Sequence, residues 1–187
     1  HWNCFALGQA LLPLIGSVED AEEALDTYRP EFGRRMDELL HAKLGLATFS
    51  EDDSALFDAM FKLMQDGHVD FTLFFRQLGN LRVDDLGNDS VIRDLFIDRV
   101  AFDTWAVAYR QRLRAENSDD CARKQAMDRT NPKFVLRNYL AQIAIEKAQQ
   151  KDYSEVARLL AVLEKPFDEQ PGNEQYAALP PDWASHL

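Results

Sequence analysis

The sequence is poor in the residues on which disulfide frameworks and metal sites depend. Only two cysteines, Cys4 and Cys121, occur among 187 residues, which excludes a disulfide framework. None of the four histidines has the i,i+4 spacing or the neighbouring cysteines of a zinc site. No apolar run approaches the roughly 18–20 residues that span a membrane, and no signal-peptide layout opens the chain. We therefore expect a reduced, cytoplasmic protein with no membrane partner.

Recognisable catalytic and cofactor-binding motifs are also missing. The eight glycines are dispersed and form neither G-x-x-x-x-G-K-[ST] nor G-x-G-x-x-G. The residues around Gly67 resemble half of a calcium loop, but positions 1, 3 and 12 of that loop would be Lys62, Met64 and Leu73. These side chains lack the oxygen ligands that calcium requires. The sequence therefore predicts no catalytic, cofactor-binding or metal-binding residue in this chain.

Charge is distributed unevenly along the chain. The formal net charge is −11, yet the stretch Val107–Arg158 holds 11 basic against 7 acidic residues. Such a stretch fits a nucleotide, a phosphorylated partner or an acidic neighbouring domain, and solvated helix faces with i,i+4 ion pairs are the favoured alternative. For Arg137 we expect a buried ion pair or an inter-helix hydrogen bond, with a phosphate contact as the alternative. Core packing is favoured over base stacking for the Phe71–Phe75 aromatics, and no nucleic-acid partner is expected.

Apolar residues recur three and four positions apart over most of the chain, which predicts helices. The predicted helices cover Val18 to about Leu44 (kinked or split at Pro30), Asp52–Gln65, Phe71–Leu78, Val91–Ile97, Phe102–Ala115, Asp119–Arg129, Phe134–Gln150 and Asp152 to about Leu163. The segment Gly79–Ser90 has turn residues and is predicted to be a loop. With no convincing strand and no repeat, the prediction is an all-α, irregular multi-helix domain without a significant β-sheet.

Helix starts have local signals. Ser17 and Ser118 are predicted N-caps. Asn131 followed by Pro132 is the favoured arrangement for opening a helix. Asp152 and Glu155 have the spacing of a capping box.

Two parts of the chain are predicted to differ in regularity. Residues 1–165 should form the helical domain, and residues 166–187 an irregular tail with four prolines, packed on it through aromatic and leucine side chains. The chain opens at His1 and enters an apolar helix directly. This pattern favours a fragment of a longer protein.

The segment Asn131–Glu146 resembles the N-P-x-x-V-L-R-N-x-L-A-Q-x-A-I-E signature of the SelO (YdiU) family. Further elements agree in the same order along the chain: Trp2-Asn3, Asp70-Phe71-Thr72 with Phe75-Arg76, Phe96-Ile97-Asp98-Arg99 with Phe102-Asp103, Trp105 with Tyr109-Arg110 and Arg112-Leu113, Pro166-Phe167, and Pro180-Pro181-Asp182-Trp183-Ala184. The resemblance covers Trp2–Leu187.

This resemblance implies a C-terminal helical region of a protein-kinase-like (pseudokinase) fold. The parent proteins are similar to nucleotidyltransferases: they bind ATP with Mg²⁺ or Mn²⁺ and transfer AMP to Ser, Thr or Tyr hydroxyls of other proteins. The family's catalytic and nucleotide-binding motifs lie upstream of the Trp-Asn motif, so none is carried over to a residue of this chain. The Cys- or selenocysteine-containing tail of the family would follow Leu187.

Two functions follow as alternatives. In the first, the chain supports the upstream kinase-like lobe or guides protein substrates, with its basic stretch Arg110–Arg137 facing that lobe, and it is inactive when isolated. In the second, it is an autonomous all-α protein-interaction module without enzymatic activity.

Overall fold

The computed structural model describes residues 1–85, 87 and 89–186, with no side-chain description for residues 185 and 186. These residues form helices and connecting turns, and no strand occurs among them. The all-α prediction is therefore confirmed. Leu86 and Asn88 of the predicted loop, and Leu187 at the end of the predicted tail, lie outside the described residues.

Ten α-helices follow one another along the described chain. They are α1 (Trp2–Ile15), α2 (Val18–Asp26), α3 (Tyr28–Leu44), α4 (Asp53–Asp66), α5 (Phe71–Leu78), α6 (Ser90–Arg93), α7 (Arg99–Ala115), α8 (Asp120–Thr130), α9 (Asn138–Gln149) and α10 (Ser154–Leu163). Two short 3₁₀ turns, Glu174–Ala177 and Asp182–His186, come after α10.

The chain divides into two compact units, with the boundary between His41 and Ala42. In unit 1, α1 packs against α2, and Gly8 faces the Leu25 side chain, with room for a Cβ at an ordinary contact distance of 3.4 Å. Ala21 is buried, but no residue of α1 is. The division of the chain at residue 165 stays a prediction.

Unit 2 has two hydrophobic clusters. In the first, the Phe74 ring lies 5.2–5.8 Å from the rings of Phe75, Phe96 and Trp105, and Trp105 stacks on Tyr109. Two buried donors fix these rings, since Trp105 Nε1 donates to the Leu56 carbonyl and the Tyr109 hydroxyl to that of Leu44. The second cluster comprises Phe134, Tyr139, Leu140, Ala144, Leu159, Val162 and Tyr176.

The helix predicted from Asn131 is wrong over its first turns. Asn131 ends α8, its side-chain amide donates to the Lys43 carbonyl, and its Oδ1 accepts from Lys43 Nζ. The N–H groups of Lys133 and Phe134 donate to the Pro166 carbonyl, so residues 132–137 stay non-helical and α9 begins at Asn138. These long-range bonds override the local N-cap signal.

Other helix boundaries differ by a few residues from their predictions. The predicted Val18–Leu44 helix is split, as expected, but at Thr27, which leaves Pro30 in the first turn of α3, where proline is tolerated. Asp119, and not Ser118, caps α8. The helix expected over Val91–Ile97 is the single turn α6.

The capping box predicted at the start of α10 does not form. The N-cap residue is Tyr153, and Asp152 lies one residue before it and accepts from the Ser154 N–H. Glu155, the expected reciprocal partner, is buried and instead accepts from Lys147, Arg158 and the Tyr176 hydroxyl. Its carboxylate therefore joins two helices to the segment after α10.

Candidate functional site

Buried arginines paired with acidic side chains form the main polar feature of unit 2. Arg76, Arg110 and Arg123 are almost fully buried, and Arg112 and Arg137 keep only 12% of their side-chain surface exposed. Because a buried charge is costly unless it is paired and hydrogen-bonded, each guanidinium has a defined set of acceptors.

Arg112 joins α7 to the start of α4. Its Nε donates to Asp53 Oδ1 at 2.6 Å, and another nitrogen donates to Glu116 at 3.0 Å. A third bond, of 2.6 Å, reaches the Thr48 carbonyl. The hydrogen bond with Asp53 raises the pKa of Arg112. Arg112 therefore fixes the loop before α4 and stays charged.

Arg110 lies on the same helix and has a similar role on another side of it. One guanidinium nitrogen lies 2.6 Å from both carboxylate oxygens of Asp89, and its Nε donates to the Arg82 carbonyl at 2.8 Å. On α8, Arg123 donates to the Leu81 carbonyl and pairs with Asp120. These bonds hold Leu81, Arg82 and Asp89, which lie between α5 and α6, against α7 and α8.

Arg137 makes a two-pronged ion pair with Asp70, with bonds of 2.5 and 3.0 Å. Asp70 also caps α5 by accepting from the Leu73 N–H at 2.8 Å. Burial acts to raise the pKa of Asp70, but the Arg137 hydrogen bond and the Leu73 N–H outweigh it and the pKa is lowered. The ion-pair alternative for Arg137 is thus the observed one, and this guanidinium is already occupied by a carboxylate.

Arg76 connects α5 to the end of α8 and to the segment after α10, a contact that was not predicted from the sequence. It donates to the carbonyls of Asp128, Asn131 and Phe167 and to the Glu169 carboxylate. Lys133 donates to the other Glu169 oxygen at 2.5 Å, and these two donors, Lys133 first, lower the pKa of Glu169 to about 2. The one available signal was an arginine directly after two core phenylalanines on α5.

The aromatic residues of α5 mostly belong to the core. Phe74 and Phe75 are buried, whereas Phe71 is half exposed. Lys43 Nζ lies 5.2 and 4.7 Å from the ring centres of Phe71 and Phe75, and burial lowers the pKa of Lys43. The Lys43 ammonium group therefore lies over these two rings, at a place where a nucleobase would otherwise stack.

The described residues contain no group of three His, Cys, Asp or Glu side chains placed to hold a metal ion. Gly67 ends α4, and its N–H donates to the Leu63 carbonyl, as its helix-terminal interpretation predicts. Both cysteines are free, with Cys121 exposed and Cys4 partly covered.

Two apolar grooves lie on the surface of the described chain. One, of about 710 Å³, runs between α4 and α7 in unit 2. The other, of about 550 Å³, lies within unit 1 between α1, α2 and the start of α3, and Leu7, Leu11 and Phe32 contribute to it. In the described part of the chain, no helix combines the length and the apolar character needed to cross a bilayer.

Fold and polar interior together define an all-α protein in which buried arginines serve to hold helices together. Comparison with known proteins gives the family. A family model described as "Protein adenylyltransferase SelO" matches residues 1–164, and the chain belongs to the SelO family.

Similar curated relatives carry the name "Protein nucleotidyltransferase YdiU". The protein of Herminiimonas arsenicoxydans is 63% identical over 187 residues, which is all of this chain and 37% of the relative. The proteins of Burkholderia pseudomallei (strain K96243) and Burkholderia multivorans (strain ATCC 17616 / 249) are 52% and 51% identical over 201 residues, covering 39% and 38% of their lengths. The chain thus spans less than two fifths of these relatives.

Proposed function

We propose that this chain is the C-terminal helical region of a protein adenylyltransferase. The complete protein would bind ATP with Mg²⁺ or Mn²⁺ and transfer AMP to Ser, Thr or Tyr hydroxyls of other proteins, releasing pyrophosphate. The observation that carries the proposal is the family match over residues 1–164, supported by 63% identity to a named nucleotidyltransferase across the whole chain.

The part of this chain in that activity is support of an upstream kinase-like lobe, or guidance of the protein substrate. Unit 1 supports this proposal because its first helix, α1, has no buried residue, while Trp2 and Leu14 are 77% and 84% exposed. Apolar surface of this extent is typical of an interface. Because the buried arginines of the Arg110–Arg137 stretch are engaged within unit 2, we propose that unit 1 makes the main contact with the lobe; the contact expected of that stretch stays a prediction.

The test compares the full-length gene product with the isolated 187-residue chain. Each is incubated with Mn²⁺, acceptor proteins and ATP labelled on the α-phosphate or, in parallel, on the γ-phosphate. We expect α-label on protein hydroxyls only with the full-length product, and no γ-label. Absence of α-label with the full-length product would favour the alternative of an interaction module without enzymatic activity.

The supporting role is tested separately in the full-length protein. Leu11→Asp places a charge in the unit 1 groove, and we expect it to reduce AMP transfer. Ala157→Asp, on an exposed position of α10, is the matched control and should leave transfer unchanged. Equal activity of both variants would remove unit 1 from the supporting role.

A further inference from the structure

The groove between α4 and α7 has an apolar floor and low walls. Leu56, Leu63 and Trp105 line it together with small residues of both helices: Ala55, Ala59, Ala101, Ala108 and Ala115. Small side chains on two neighbouring helices leave room for a third helix to approach closely, and helix-in-groove docking is a common mode of peptide recognition. With 14 residues in α4, the groove extends for ~20 Å, or three to four helical turns.

The border of the groove formed by α7 is exposed and partly apolar. Val100 and Val107, each next to a groove-lining alanine of α7, are 72% and 54% exposed. Residues 100, 104, 107 and 111 share one face of α7 because they follow the i, i+4, i+7, i+11 spacing, and Thr104 and Gln111 line the groove. A segment bound in the groove could therefore contact β-branched apolar side chains along this border.

The opposite border, formed by α4 and the residues before it, is acidic. Glu51, Asp52 and Asp58 are exposed, and no ion pair joins them to another described residue. The two cations in the groove wall are neutralised, Lys62 by Asp66 and Arg112 by Asp53 and Glu116. The groove therefore has one partly apolar border and one border with uncompensated negative charge.

We propose that this groove docks an amphipathic helix of a partner protein, with an apolar stripe flanked on one side by Lys or Arg. The apolar stripe would cover the groove floor and the Val100–Val107 border, and the basic flank would face Asp52 and Asp58. This complementarity of charge and apolar surface selects a basic helix over an acidic one. The inference goes beyond the proposed function, since it holds for unit 2 whether or not the complete protein transfers AMP.

The test uses the full-length protein and two labelled helical peptides with the same Leu/Ala stripe, flanked by Lys in one and by Glu in the other. We expect saturable binding of the Lys peptide by fluorescence anisotropy, at least about tenfold tighter than that of the Glu peptide, and weaker at high salt. The pair Asp52→Asn and Asp58→Asn should weaken only the Lys peptide.

Filling the groove provides the positional control. Ala59→Trp and, independently, Ala108→Trp should abolish binding of the Lys peptide, whereas Ala157→Trp on α10 should not change it. Two groove variants are used so that a folding defect in one, seen by circular dichroism, leaves the other informative. Equal affinity for both peptides, or binding unaffected by either groove variant, would overturn the proposal.

Other occupants give distinct results, each of which also contradicts the proposal. If Ala59→Cys cannot be labelled by a maleimide in the folded full-length protein, the rest of the same chain covers the groove. If the wild type forms a dimer that Ala59→Trp dissociates, a second copy occupies it.

Discussion

Arg112 shows what a single residue does in the interior of unit 2. The side chains of its partners Asp53 and Glu116 are only 3% and 2% exposed. Arg112→Met would leave both carboxylates buried without their cation, and breaking a buried pair in this way costs about 3–5 kcal/mol of unfolding free energy. Urea denaturation followed by circular dichroism measures this loss.

Arg99→Met is the matched control for Arg112→Met, because Arg99 begins the same helix. Its ion pair with Asp94 lies at the surface, with side-chain exposures of 53% and 59%. We expect a loss of no more than ~1 kcal/mol. Similar small losses for the two variants would show that the buried pair contributes no more than a surface pair.

Glu169 gives a pH dependence with a defined sign. Its pKa falls from 4.5 to about 2 in the folded protein, so its contribution to stability is present above about pH 4.5 and is lost as the pH falls towards 2. Glu169→Gln should therefore be less stable than the wild type at pH 6 and nearly equal to it at pH 2–2.5. Thermal melts across this range measure the difference, and a constant difference at all pH values would contradict the assignment.

The amino-acid types predicted what kind of contact an interior residue makes, but they did not predict which residue it contacts. A buried ion pair was among the alternatives for Arg137, because arginine on a helix with apolar neighbours requires an acceptor. The acceptor is Asp70, which lies 67 residues away from Arg137 in the sequence. No local sequence pattern specifies a partner at that distance. The same holds for Arg76, whose acceptors come from α8 and from the segment after α10.

At the scale of elements, local signals predicted the helices whose ends are fixed locally. Ser17 caps α2 through the Asp20 N–H, and α5 has the predicted bounds. The prediction failed at Asn131, where Lys43 and Pro166 take up the side chain and the following N–H groups. Long-range hydrogen bonds therefore set the start of α9, although the local sequence favours an earlier start.

The turn after α3 has a glycine, Gly45, at a position where a side chain would be strained and crowded. Gly45 has φ +69°, and a Cβ there would lie 2.5 Å from Arg123 Cγ and 2.8 Å from Met127 Sδ. Gly45→Ala should lose about 1–2 kcal/mol from the left-handed backbone and roughly 1–3 kcal/mol more from overpacking. The free energy of unfolding from urea denaturation measures the total.

Gly172→Ala separates these two contributions. Gly172 has φ +89°, but a Cβ there would meet no atom within 4 Å, so only the backbone cost of about 1–2 kcal/mol is expected. If Gly45→Ala is no more destabilising than Gly172→Ala, the close packing of α8 against Gly45 does not contribute to the loss of unfolding free energy.

At the scale of the whole molecule, the two units differ in how well they cover their own apolar surface. Unit 2 buries two aromatic and aliphatic clusters and leaves its α4–α7 groove uncovered, whereas among the described residues of unit 1 Ala21 is the one buried apolar residue and Phe5, Leu7 and Leu14 are exposed. The isolated 187-residue chain should therefore bind a hydrophobic dye such as ANS. Leu11→Lys should lower the dye fluorescence and Ala157→Lys should not; equal fluorescence of the two variants would contradict this account of unit 1.

The boundary between the two units was not predicted, because the apolar spacing of α1 to α3 resembles that of the rest of the chain. Periodicity shows which face of a helix is apolar, but it does not show what that face contacts. The family resemblance, in contrast, rested on several motifs in one order and was confirmed.

We propose that these 187 residues support AMP transfer without performing it. The most direct measurement is the amount of α-labelled AMP attached to acceptor proteins by the full-length gene product and by the isolated chain, at equal molar concentrations with ATP and Mn²⁺. We expect transfer by the full-length product and none above background by the isolated chain. Transfer by the isolated chain, or none by the full-length product, would contradict it.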